Sequence, residues 1–219
     1  MAQQTITALY DRYEDASAAV GEIEGSGIPH GDVSLVSNNE GDRHAGIPGG
    51  ADRTADTRDR TKDSAKDGTG AGATLGTVAG GAAGLLAGLG LIAIPGVGPV
   101  VAAGWLVATL TGAGIGAAAG GLAGALTGAG VSEGDAHAYG EGVRRGGTLV
   151  TIRIDPARAA LAPTVTAILE RHGAVDLDEK ASAWRAEGWT APQVTMGTGP
   201  AGTTGGQGRT RTYPATTDL

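Results

Sequence analysis

The chain has no cysteine and no phenylalanine, and aromatic residues make up only 3% of it. Without cysteine there can be no disulfide framework and no thiolate metal site, and the redox compartment is left open. With so few aromatics, and with alanine supplying much of the apolar total, the 219 residues cannot form one uniformly well-filled globule. A basic excess is also missing: the net charge is −7 and the pI near 5.0, so there is no field to hold nucleic-acid phosphates. The opening MAQQTITALYDRYED lacks both a basic head and an apolar run, so no signal peptide is expected. The longest absence is internal, for between Gly68 and Ser132 there is no Asp, Glu, Lys, Arg or His.

Glycine is abundant instead, at 41 residues, and much of it is in phase. In the uncharged stretch it recurs every fourth residue as Gly68, Gly72, Gly76, Gly80, Gly84 and Gly88. After the run Pro95-Gly96-Val97-Gly98-Pro99 it resumes as Gly104, then Ala108, Gly112, Gly116, Gly120, Gly124 and Gly128. Residues four apart share one face of a helix. Glycine at each one leaves a groove with no Cβ, along which a second helix can approach to backbone contact. Two glycine-zipper helices joined by a turn at Pro95, Gly96, Gly98 and Pro99 are therefore expected. Each interior glycine costs about 0.8–1.0 kcal/mol relative to alanine in water. Such helices need a medium in which unpaired backbone is more expensive, either hydrocarbon or a packed assembly. Thr74 to Ile94, roughly 21 residues, would span about 30 Å of hydrocarbon; Val100 to Val131 is longer. Bases flank both ends, with Arg53, Arg58, Arg60, Lys62 and Lys66 before and Arg144 and Arg145 after. That pattern predicts both termini on the cytoplasmic side.

The flanks carry a different pattern. Residues 1–37 read as a βαβ unit: a strand from Thr5 to Tyr10, a helix from Glu14 to Glu24 with Ala16, Ala19, Val20 and Ile23 on one face, and a short strand from Val33 to Val36. Residues 38–67 are a polar linker of interleaved acids and bases, read as a solvated spacer. Residues 133–189 hold a connecting helix and a second βαβ unit. In that unit Thr148 to Ile154 is a strand, and Asp155 caps a helix running to His172 that Pro163 should kink or restart. Val175 and Leu177 mark a last strand. Residues 190–219 form a Gly/Thr/Pro tail, expected to be disordered. The fold class predicted is α+β: a split ferredoxin-like βαβ-βαβ domain interrupted by the glycine-zipper hairpin at 68–132. The hairpin returns the chain to the side it left, so the two halves can pair.

No motif points to a reaction. The histidines His30, His44, His137 and His172 are far apart, and no lysine lies within the glycine tract to complete a phosphate loop. Glu133, Asp135 and His137 diverge on a helix and, with Ser132, read as a cap and a solvated face rather than a metal site. Trp184 and Trp189 around Arg185 read as core or membrane-interface anchors. No catalytic residue, metal, cofactor or small-molecule substrate is evident.

The string IPGVGPVVAAG (Ile94 to Gly104) is followed by GGLAGALTGAGVSEGDAHAYGEGVRRGGTLVTI (Gly120 to Ile152). Together they resemble bacterial general stress proteins, which have a heat-induced stress protein domain split by a glycine-zipper insertion. The shared features are the IPG-GP turn, the zipper, a helix with Glu133, Ala136 and Tyr139, and the strand from Gly147 to Val150. The resemblance spans roughly residues 5–180. It implies stress-linked expression and membrane or envelope association, and supplies no catalytic residues. The expectation is a non-enzymatic, membrane-associated stress protein that self-associates through its zippers at the inner membrane, with a lipid bilayer and copies of itself as partners. The alternative is a soluble, cytoplasmic, self-assembling structural protein whose hairpins are buried in a homo-oligomeric particle or filament. A third class is a small-ligand sensor built on the α+β domain.

Overall fold

The computed structural model describes residues 3–40, 90–94, 98–106, 114–191 and 208–214. The protein is α+β, built on one antiparallel sheet. Among the described residues six strands form: β1 (Gln4–Tyr10), β2 (Val33–Asn38), β3 (Gly90–Ile94), β4 (Gly98–Gly104), β5 (Thr148–Ile154) and β6 (Thr210–Pro214). They lie in the order β3-β4-β2-β5-β1-β6. The helices are α1 (Tyr13–Gly25), α2 (Gly114–Gly128), α3 (Glu133–Arg144), α4 (Ala162–Arg171) and α5 (Leu177–Ala186).

The strands expected over Thr5–Tyr10, Val33–Val36 and Thr148–Ile154 and the helix expected over Glu14–Glu24 are present. β1 and β2 each pair antiparallel with β5, which sits between them. α1 buries the expected face of Ala16, Ala19, Val20 and Ile23. Asp155 accepts a hydrogen bond from the Arg158 N–H at 3.0 Å, opening a short 3-10 turn over Pro156–Leu161. The α-helix then restarts at Ala162 with Pro163 in its first turn, where a missing N–H costs nothing. α1 and α4 cover one face of the sheet, against Ile6, Leu35, Val150 and Ile152. α2, α3 and α5 cover the other, against Val36, Val100, Leu149 and Tyr213.

Three expectations are corrected. First, helices were expected to run to Ile94 and to start again at Val100, but Gly90–Ile94 and Gly98–Gly104 are strands. They pair with each other antiparallel, with Ile94 opposite Gly98, and β4 pairs with β2. The local sequence explains this. LIAI and VVAA are short apolar runs bounded by turn residues, and an open edge of β2 offers backbone partners. β4 is buried on both sides: Val101 and Ala103 enter one core and Val100 and Ala102 the other. No polar alternation could therefore have marked it as a strand.

Second, the strand expected at Val175 and Leu177 is a single bridge, in which the Val175 N–H donates to the Leu9 carbonyl at 2.8 Å. Asp176 then caps α5, accepting from the N–H groups of Asp178 and Glu179. Third, the tail read as disordered supplies β6, which pairs with β1 from Gln4 to Ala8. Thr-Arg-Thr-Tyr alternates β-forming residues, and it takes the place beside β1 left vacant by the capped helix.

Among the described residues no helix is long and apolar enough to cross a membrane. The zipper positions Gly72, Gly76, Gly80, Gly84, Gly88 and Gly112, the turn residues Pro95 and Gly96, and the linker 41–67 lie outside the described residues.

Candidate functional site

The two faces of β1 differ. Ile6, Ala8 and Tyr10 point to the apolar side under α1 and α4, whereas Thr5 and Thr7 point to the side under α3. Strand register extends that second set into rows. Ser34, Thr151, Thr7 and Arg211 are successive partners across β2, β5, β1 and β6. Arg153, Thr5 and Tyr213 form the adjoining row. All of these except Arg153 are essentially buried or lie at the margin of burial.

Most of these polar groups are satisfied from the layer above. The Thr7 hydroxyl donates to the Tyr139 phenol oxygen at 2.7 Å, and the Thr5 hydroxyl to the Ala129 carbonyl at 2.8 Å. Ser34 donates to the Ala103 carbonyl at 2.8 Å. The Arg153 guanidinium lies 4.4 Å from the centre of the Trp105 ring. Thr151 Oγ1 and Arg211 Nε, both buried, have no hydrogen-bond partner among the described residues.

The centre of the site is Asp135, on the first turn of α3. Ser132 caps that helix by accepting the Asp135 N–H. The Asp135 carboxylate is turned inward: one oxygen pairs with Arg211 Nη1 and the other accepts from the Tyr213 hydroxyl at 2.8 Å. Arg211 Nη2 reaches Asp178 on α5 at 2.6 Å. The guanidinium is only 4% exposed. Burial alone would lower its pKa, but the bonds to Asp178 and Asp135 outweigh that and raise it. Arg211 is thus held firmly charged. Burial pushes the Tyr139 phenol up to about 12, with the Thr7 hydrogen bond acting the other way. Burial, together with the charges of Tyr139 and Asp135, pushes Tyr213 up as well. Both phenols keep their protons at neutral pH. The arrangement ties β6 to α3 and α5.

Of the residues singled out in the sequence, Glu133, Asp135 and His137 do start a capped helix, but Asp135 faces the interior rather than solvent. Among the described residues, no group of His, Asp or Glu could hold a metal. Trp184 is buried and meets Trp189 edge to face at 6.2 Å, with Arg145 and Arg185 over their rings. Arg144 and Arg145 both pair with the buried carboxylate of Glu141. Of the zipper glycines, Gly116, Gly120, Gly124 and Gly128 lie in α2, which kinks at Gly121. Gly104 ends β4 at φ +91°, where a Cβ would sit 2.0 Å from the Val33 carbonyl oxygen. Its lack of a side chain serves a strand crossing rather than a helix groove. Arg211, Tyr213, Thr5, Thr7 and Thr151 were not anticipated. The two-residue period of Thr210 to Tyr213 was the one signal available, and it is too short to stand out in a glycine-rich tail.

No family model, no curated protein and no solved structure matches this chain.

Proposed function

We propose that the protein is a non-enzymatic, self-associating stress protein in which a split ferredoxin-like domain presents a glycine-zipper surface to other copies. The β1-α1-β2 and β5-α4-Val175 segments have matching order, and α1 and α4 share one face, which supports the duplicated, split domain. The observation that carries self-association is the orientation of α2. Leu122, Ala125 and Leu126 are buried in the domain. Gly124 is part-exposed, Gly128 is exposed, and a Cβ at Gly128 would meet nothing within 4 Å. At Gly124 and Gly128 this side of the helix is therefore left open by its own domain's packing, and a helix from another copy can lie against it. The resemblance to general stress proteins points the same way, as does the dedication of the buried polar groups to holding structure.

The inner membrane, with both termini cytoplasmic, is the second reading. It is favoured by the unbroken run of uncharged residues with in-phase glycines from Gly68 to Gly88. The anchoring of Gly90–Gly104 in the sheet favours the reading in which zippers pack between copies.

Replacing Gly124 and Gly128 together by Leu in the full chain tests the conclusion. Sedimentation should show a smaller species while circular dichroism stays unchanged. An oligomer that survives the change intact would sink it. Extraction from cells only by detergent would decide for the membrane.

A further inference from the structure

The β1 edge, with Asp135, Asp178 and Tyr139 above it, has the form of a receptor for an extended strand. Main-chain pairing with Gln4 to Ala8 supplies sequence-independent affinity. Alternate side chains supply selectivity, because Arg211 and Tyr213, two residues apart, insert on the same side and share the Asp135 carboxylate. This is the recognition pattern of strand addition to a sheet edge, here specific for Arg-x-Tyr. The resident ligand is the chain's own C-terminal segment.

We propose that this groove also accepts the 208–214 segment of a second copy, so that copies exchange β6. The claim rests on the self-association reading, which brings grooves and strands together at high local concentration. Three observations support it. The chain between Ala191 and Gly208 is about 16 residues long and has a maximum reach of about 50 Å. A folded chain of this size has a radius of gyration of only about 17 Å. A neighbouring groove is therefore within reach. The contacts that hold β6 are the same whether they are made within a chain or between chains, so exchange costs no interaction. The strand is also short, and charge-assisted bonds at Asp135 and Asp178 carry its side-chain recognition. The other edge strand, β3, offers no comparable motif, since its residues GLIAI include no charge or hydroxyl.

The absence of native cysteine allows a clean test. Ala8 and Thr210 are register partners in β1 and β6, at a spacing that suits a disulfide. Full-length Ala8→Cys and Thr210→Cys variants are mixed in equal amounts, allowed to exchange, and oxidised. A covalent heterodimer is expected on a non-reducing gel. Adding Arg211→Ala to the Thr210→Cys chain should lower its yield about tenfold or more. The Ala8→Cys/Thr210→Cys double variant should close within one chain, which checks that the paired geometry forms. If the double variant closes and the mixed single variants never cross-link, the exchange is overturned. Sedimentation of the same samples keeps the two ideas apart. Oligomers without a cross-link reject strand exchange and leave self-association standing. A chain that is monomeric and free of cross-links at every concentration rejects both.

Discussion

The two faces of the sheet come from the same strands and both carry an apolar cluster, but only one adds a buried polar network. Under α1 and α4 the contacts are aliphatic, and the buried Tyr10 hydroxyl is satisfied by the Leu169 carbonyl at 2.9 Å. Under α3, Thr5, Thr7, Tyr139, Arg211 and Tyr213 add directional hydrogen bonds to the apolar contacts. Aliphatic packing is non-directional and tolerates repacking, so it can stabilise the domain without specifying every neighbour. A buried charge that must find its partners does the reverse: it contributes little net stability and penalises any strand that does not fit. One face therefore holds the domain together, and the other selects what closes it.

That contrast can be broken at neighbouring positions. Ile152→Ala, on the aliphatic face, should cost about 2–5 kcal/mol in urea denaturation, because the cavity is surrounded by packed side chains. Asp135→Ala, on the polar face, leaves Arg211 with Asp178 alone. Asp178 is exposed and still pairs with the guanidinium, so the loss should be about 2–3 kcal/mol. It should appear first as loss of hydrogen-exchange protection in β6 and along the β1 edge. If protection falls everywhere at once, the polar face is not a separable latch. Gly104→Ala should cost about 1–3 kcal/mol through positive φ and collision with Val33, weakening the β2–β4 pairing. Were this glycine part of a helix groove, alanine would instead leave the β2–β4 pairing intact and weaken association.

Smaller effects sharpen the comparison. Tyr139 has its pKa raised from 10.0 to about 12 in the fold. The stability it contributes is complete below pH 10, where both states keep the proton, and is lost as pH rises toward 12. Because Tyr10, Tyr13 and Tyr213 are raised as well, the check is the difference between the parent and Tyr139→Phe: the fall in melting temperature over that window should be smaller in the variant, and equal falls would rule the contribution out. The smallest change expected is Thr151→Val, neutral or slightly stabilising, because the hydroxyl removed has no partner among the described residues. A cost as large as that of Ile152→Ala would mean that the hydroxyl is bonded after all.

The legible parts of this fold were those whose signals are local. The helical face of Ala16, Ala19, Val20 and Ile23, the Asp155 cap and the restart at Pro163 were readable because each depends on residues a few positions apart. β4 was misread because its burial on both sides removes the alternation that marks a strand, while Gly104 fell by position into the four-residue glycine phase. The candidate site was hardly visible. Asp135 was recognised as part of a helix start, but the partner that turns it inward is Arg211, seventy-six positions away.

The sequence by itself determined where helices can begin and end, which faces of α1 and α4 must be buried, and that a long uncharged, glycine-phased segment lies mid-chain. These follow from capping chemistry, side-chain volume and periodicity, all properties of neighbouring residues. Only the tertiary structure decided that Gly90 to Gly104 enters the sheet and that the strand beside β1 comes from the tail. An apolar run of four or five residues satisfies its backbone equally well in a helix or at a sheet edge, and which it adopts depends on which edge is left open. The edges of β2 and β1 were open, and the tail carried the arginine and tyrosine that Asp135 could hold.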